Sequence, residues 1–246
     1  MNGAWGQSFA RVPELLAAHV QLSFSALLRA MVMCRPLASW AARSARVAGI
    51  TLTAASLVQT IPGLALLALF YPLLLGLSAL LGGGISALGF LPALLALTLY
   101  ALLPILRNAV TGLTGVDPAA QEAADGLGMT NIQKLRLVEA PLAAPTIMAG
   151  IRTAAVWTIG AATLSTTVGQ PSLGDMIFAG LQTQNWSLVL TGCLVSAALA
   201  ISVDILLGLI ERAIRDRRKL LAWGAGASLL LCPGLASLPL LTSNDN

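Results

Sequence analysis

Few side chains in this sequence are equipped for chemistry, and those few are scattered. The one histidine, His19, has no second histidine and no acid nearby. General-base or metal work is not expected of it; an interfacial position near the outer end of the first apolar stretch is. Cys34, Cys193 and Cys232 lie far apart in apolar surroundings and form no CxxC, which reads as small buried hydrophobes. The chain has no G-x-x-x-x-G-K-[ST] loop to cradle ATP phosphates, no HExxH, no G-x-S-x-G and no paired intramembrane carboxylates. Enzymatic chemistry is therefore not expected. Two kinds of residue remain. Asp204 lies inside a long apolar run, where an ionisable group is costly and marks function by default. It reads equally as lining for a solute path and as half of a structural pair, with Arg29 as its partner. Trp157, Phe178 and Trp186 offer aromatic faces of the kind that hold quaternary ammonium by cation–π attraction. Tryptophans also anchor at membrane interfaces without a ligand.

The elements that must position these residues are apolar helices. The chain has 246 residues, 57% hydrophobic and only 10% charged, with a mean hydropathy of +0.84. A soluble domain carries about 25% charged residues, so an all-α membrane protein is predicted, each helix satisfying its own backbone in lipid. The net charge of +4 does not point to nucleic acid, because the basic residues fall in short clusters beside apolar spans, the pattern that sets membrane orientation. The N-terminus lacks the basic region and clean apolar core of a cleavable signal.

Charge places the spans. After an external segment, residues 1–16, a first span runs from about Ala17 to Trp40, interrupted by Arg29 and Arg35, and lands on the basic cluster with Arg43 and Arg46. Residues 47–106 contain no Asp, Glu, Lys or Arg. Two crossings fit there, about Val47–Tyr71 and Gly89–Val110, with the outer connection broken at Pro72 and Gly82–Gly84. A fourth span from about Ile147 to Val168 and a fifth from about Trp186 to Ile210 follow. The fifth ends on "ERAIRDRRK", a strong cytoplasmic anchor. Five core crossings with the N-terminus outside satisfy both parity and the charge rule. The uncharged stretch Leu220–Leu241, within a hydrophobic extension covering 218–246, reads as an additional span; an interfacial tail is the alternative, since Pro233 and Pro239 interrupt it.

Between the third and fourth spans the chain turns polar. Four of its ten acidic residues, Asp117, Glu122, Asp125 and Glu139, fall within residues 117–141. Asp117-Pro118 is a helix start, an N-cap followed by proline at the first helical position. Gly126 and Gly128 break that helix. Thr130-x-x-Gln133 has the form of a capping box and starts a second helix, which runs to about Glu139 and stops before Pro141. The expectation is two short helices joined by a glycine elbow outside the bilayer.

Glu122-Ala123-Ala124, three residues, Gly128, nine residues, then Val138-Glu139-Ala140-Pro141 resembles the EAA signature of bacterial ABC importer permeases. Val138 and Ala140 depart mildly from that pattern; its spacing is intact. The resemblance implies a MetI-like permease fold in the cytoplasmic (inner) membrane, over residues 17–217. It also implies that Glu122, Ala123, Ala124, Gly126, Gly128, Val138 and Pro141 form a coupling segment docked on an ABC ATPase subunit, which would hold ATP and magnesium; no cofactor is expected on this chain itself. A second permease copy or a sister permease, and a periplasmic or extracellular substrate-binding protein, are the other implied partners. The stretches 56–70, 91–118, 149–164 and 172–181 resemble permeases of osmoprotectant importers, which carry glycine betaine, choline, carnitine and related quaternary amines. Where that family usually shows Gly-Gly before Leu-Gly-Asp, this chain has Pro171-Ser172. Trp157, Gly174, Asp175, Phe178 and Asp204 are the candidates for a translocation path or gate. A permease for an amino acid such as methionine, and a non-transporting membrane scaffold or sensor of the same fold, are the alternative readings.

Overall fold

Helices are the only regular structure among the described residues, which in this computed structural model are residue 6 and residues 9–215. In chain order they are α1 (Val12–Ala41), α2 (Ala45–Thr60), α3 (Gly63–Leu80), α4 (Phe90–Thr114), α5 (Pro118–Gly126), α6 (Asn131–Lys134), α7 (Ala140–Ala162), α8 (Gly174–Gln182) and α9 (Trp186–Arg215). A π-helical turn, Leu135–Glu139, joins α6 to α7, and a 3-10 stretch, Thr163–Val168, extends α7. Among the described residues five segments are long and apolar enough to cross a membrane: Val12–Ala41, Gly63–Leu80, Phe90–Thr114, Asn131–Val168 and Trp186–Ala213. The count of five spans agrees with the sequence. The extension 218–246 lies outside the described residues.

Several boundaries move, each for a local reason. The first helix begins at Val12, so the end of the expected external segment is already helical, and it passes Arg29 and Arg35 without a break. Both arginines lie on its exposed side, while Leu22, Ala26, Leu27, Ala30 and Cys34 face inward. The expected second span, Val47–Tyr71, is split. Pro62 disfavours the helical conformation at Ile61, which is extended (φ −73°, ψ 125°), so α2 ends at Thr60 and a new helix starts at Gly63. Pro72 does not end that helix, which continues to Leu80; the break comes at Gly82–Gly84, all with positive φ. Membrane helices tolerate interior proline where neighbours satisfy the freed backbone.

α4 and α7 form the centre, with α1 packed across both. Their closeness depends on small residues, the usual means of helix association in lipid. A Cβ at Gly150 would come within 2.6 Å of Asn108 Cβ and 2.8 Å of the Pro104 carbonyl, and one at Gly112 within 3.2 Å of Ala143. Around this crossing Ala101, Leu103, Ile105, Leu106, Ala109, Ala154 and Ala155 are buried.

His19 corrects the expectation of an interfacial residue. It is fully buried, and it joins three segments of the bundle. The Leu173 N–H donates to His19 Nδ1 at 3.4 Å, which leaves Nε2 to donate to the Ile159 carbonyl at 3.1 Å. The imidazole thus bridges α1 to α7 and to the turn before α8. A His19→Leu variant strands both backbone groups, at about 1–3 kcal/mol each. A thermal unfolding midpoint several degrees below wild type in detergent is the expected result.

Candidate functional site: a capped elbow and an intramembrane ion cluster

The polar segment forms the elbow its sequence specifies. The Asp117 carboxylate accepts from Ala119 N–H at 2.9 Å, with Pro118 opening α5. The helix closes in a Schellman motif, in which Met129 N–H bonds the Ala124 carbonyl at 3.1 Å and Gly128 N–H the Asp125 carbonyl at 2.9 Å. That motif needs a left-handed residue, and Gly128 supplies it with φ +70°. Gly126 is the last helical residue rather than the turn itself. The Thr130–Gln133 capping box is complete, and Lys134 Nζ closes the elbow on both Asp125 oxygens at 2.7 and 2.9 Å.

Beyond the elbow the structure departs from expectation. The second helix does not stop before Pro141 but runs unbroken from Asn131 to Val168. The π turn explains why: an ordinary helix would press the Pro141 ring against the Leu137 carbonyl, and the wider turn gives it room. Of the coupling candidates, Ala124 is buried, Val138 is half-buried, and Glu122, Ala123, Gly126, Gly128 and Pro141 are exposed. Leu127, Ile132 and Leu137 are also exposed, at 76%, 65% and 66%, so the elbow presents apolar side chains outward. Arg43, at the end of the first span, donates to the Asn131 carbonyl at 3.1 Å and lies 3.7 Å from Glu139. Sequence reading used Arg43 only for orientation.

Asp204 is paired, but with Arg152 rather than Arg29. Arg152 Nε and Nη2 donate to the two carboxylate oxygens at 2.5 and 2.7 Å, a two-pronged contact. Arg29 instead donates to the Ser25 carbonyl of its own helix, at 3.4 Å. Glu211 joins from the other side, with Oε2 3.6 Å from Arg152 Nη1. Two carboxylates within the membrane-spanning part therefore share one guanidinium, where the sequence showed no pair. The α9 spacing makes this possible: Asp204, Gly208 and Glu211, at i, i+4 and i+7, share one face. A Cβ at Gly208 would meet Arg152 Nη1 at 3.2 Å, so the guanidinium lies across a gap in the helix surface.

An open cavity of about 430 Å³ between α7 and α9 contains this cluster, with Thr153 and Trp157 on its α7 wall. Trp157 is 51% exposed. The structure thus brings together two of the five path candidates. Gly174, Asp175 and Phe178 do not line this cavity; they belong to α8, beyond the far end of α7. There the Pro171-Ser172 departure has a structural consequence. Ser172 is fully buried, its Oγ accepting from Gly174 N–H at 3.0 Å and lying 2.9 Å from Thr166 Oγ1. Asp175 sits in the first turn of α8, where the helix dipole favours an acid.

Comparisons with known proteins show the family and the fold. The choline transport system permease protein OpuBB of Bacillus subtilis (strain 168) is 39% identical over 196 residues, covering 80% of this chain and 85% of that protein. The carnitine transport permease protein OpuCD of Listeria monocytogenes serotype 1/2a is 41% identical over 212 residues, 85% and 90% of the two chains. The osmoprotectant import permease protein OsmW of Salmonella typhimurium is 40% identical over 194 residues, 79% and 87%. A solved inward-facing structure of the MetNI methionine ABC transporter matches with a TM-score of 0.70, over 81% of this chain and 94% of that one; at 20% identity it shows the fold alone. The family model described as binding-protein-dependent transport system inner membrane component matches residues 35–216. The five apolar spans, the capped elbow and this match over most of the chain mean that the protein is a membrane permease belonging to that family.

Proposed function

We infer that this permease carries a quaternary-amine osmoprotectant such as glycine betaine, choline or carnitine into the cell, driven by ATP hydrolysis on a separate subunit. The observation that carries the solute class is the set of relatives near 40% identity, whose names specify choline, carnitine and osmoprotectant transport. The elbow at residues 117–141 supports the coupling role. It is rigidly capped, it exposes Leu127, Ile132 and Leu137, and it continues without a break into a membrane span. An ATPase subunit holding ATP and magnesium docks on this surface at the cytoplasmic face. A second permease, identical or sister, completes the pore, and an external binding protein delivers the solute. Trp157 and Asp204 belong to the inner half of the path, while Gly174, Asp175 and Phe178 on α8 belong to its outer end.

The test is uptake of labelled glycine betaine and choline by cells lacking other importers and expressing this chain with its ATPase and binding protein. A Gly128→Asp variant serves beside it, since at φ +70° any Cβ carries a conformational cost and the added charge alters the docking surface. Uptake by wild type that falls at least about tenfold in the variant, a loss of 1.4 kcal/mol or more of coupling, is expected. Accumulation of methionine but of no quaternary amine would refute the solute class.

A further inference from the structure

Three charged side chains meet between α7 and α9, and among the described side chains their charges sum to one negative. Arg152 satisfies Asp204 with two hydrogen bonds, and Glu211 stands at 3.6 Å as a second carboxylate on the same guanidinium. A purely structural ion pair requires neither this second acid nor an exposed indole beside it. Both are present: Trp157 is half-exposed and is one of the residues lining the cavity that contains the cluster. The depth adds to the argument. Arg152 lies roughly three turns into α7 from Ala140, and Asp204 three turns before the end of α9. The side chains of Arg152 and Asp204 are 40% and 35% exposed on the isolated chain. Charges turned toward hydrocarbon at such depth are disfavoured, so this face is directed at water or a second permease subunit rather than lipid.

Resting on the solute class inferred above, we propose that Glu211, Asp204, Arg152 and Trp157 form a way-station that takes the quaternary ammonium head in the inner half of the membrane. Glu211 is the specificity-determining residue, because it supplies the surplus charge. Trp157 supplies a face for the methyl-covered cation, which attracts it without a hydrogen bond. Arg152 keeps Asp204 oriented and is the group placed to meet the carboxylate of a zwitterionic solute. Gly208 keeps the guanidinium close to the α9 backbone, leaving the cavity open beside it. A cation without a carboxylate depends on Glu211 more than a zwitterion does, since only the zwitterion also gains from Arg152.

The probe is tetramethylammonium, titrated against the purified permease–ATPase complex in lipid nanodiscs without the binding protein, and followed by saturation-transfer NMR of its methyl protons. Saturable binding is expected, weakened about tenfold or more in Glu211→Gln by loss of one nearby charge, and about fivefold in Trp157→Leu. The neutral carbon isostere of choline, 3,3-dimethyl-1-butanol, should compete poorly. Glu211→Gln leaves the Arg152–Asp204 contact in place, so its complex should assemble as wild type does. In uptake assays the same variant should lower choline transport more than glycine betaine transport. Absence of tetramethylammonium binding to wild type, or equal binding to Glu211→Gln, would overturn the site. Saturable Glu211-dependent binding without uptake of any quaternary amine would uphold the site and sink the solute reading.

Discussion

Gly174→Ala is expected to prevent the outer end of the permease from forming. The added Cβ would fall on the Thr163 carbonyl, 2.7 Å from its carbon and 2.9 Å from Thr166 Oγ1. The obstacle is backbone, so no rotamer change relieves it, and α8 must lift away from the 3-10 stretch. That movement also breaks the Ser172–Thr166 contact and pulls Leu173 N–H from His19. Overpacking costs about 1–3 kcal/mol, and a clash with backbone falls at the upper end, which for a chain of this size lowers the thermal midpoint by about 6–12 °C. Fluorescence-detected gel filtration of the heated complex in detergent reads this directly. Gly76→Ala, where nothing lies within 4 Å of the new methyl, is the control and should leave the midpoint unchanged. A Gly174→Ala protein as stable as wild type would refute the close packing of α8 on the end of α7.

Arg152→Leu should be nearly as damaging, through charge rather than volume. Two carboxylates would lose their shared cation inside a membrane span, where an acid left without its partner is costly. The expected outcome is a severe loss of assembled complex. Asp204→Asn should be milder, because Glu211 remains within reach of the guanidinium. Combining Arg152→Glu with Asp204→Arg keeps one guanidinium among two carboxylates and should recover most of the lost assembly. If the exchange rescues nothing while each single variant assembles normally, the ion pair does not hold α7 to α9.

The difference between what could and could not be read from the sequence is one of range. The elbow was legible because its determinants are local. Asp117-Pro118, Thr130-x-x-Gln133 and Gly128 each act on backbone groups within a few residues, and all three behave as their types require. The number of spans was legible for a similar reason, since hydropathy and flanking charge are properties of single segments. The break at Ile61–Pro62 has a local cause too, because proline constrains the residue before it, but the apolar run continues through it at uniform hydropathy. Pro141 misled in the opposite direction. Proline's local rule says stop, and the π turn that overrides it carries no composition signal.

The side-chain pairings were not legible. Arg152 and Asp204 are 52 residues apart, so nothing local distinguishes Arg152 from Arg29 as the partner. The one local signal is on α9, where Asp204, Gly208 and Glu211 share a helical face with a gap between the two acids, a pattern suited to receive a guanidinium. His19 gave no signal at all. A solitary histidine in an apolar helix is identified as a bridge only when both of its backbone partners are in view.

That bridge has a bearing on how the protein is made. The partners of His19 lie 140 and 154 residues later in the chain. At about 5–20 residues per second of synthesis, the first helix waits on the order of ten to thirty seconds before either partner emerges from the ribosome. Throughout that interval an imidazole without its native bonds sits in a segment already leaving the translocation channel. The His19 bridge is therefore completed only after α7 and the turn before α8 have been made. Truncated chains that end before Leu173 should accordingly be recognised by membrane quality control as unfinished.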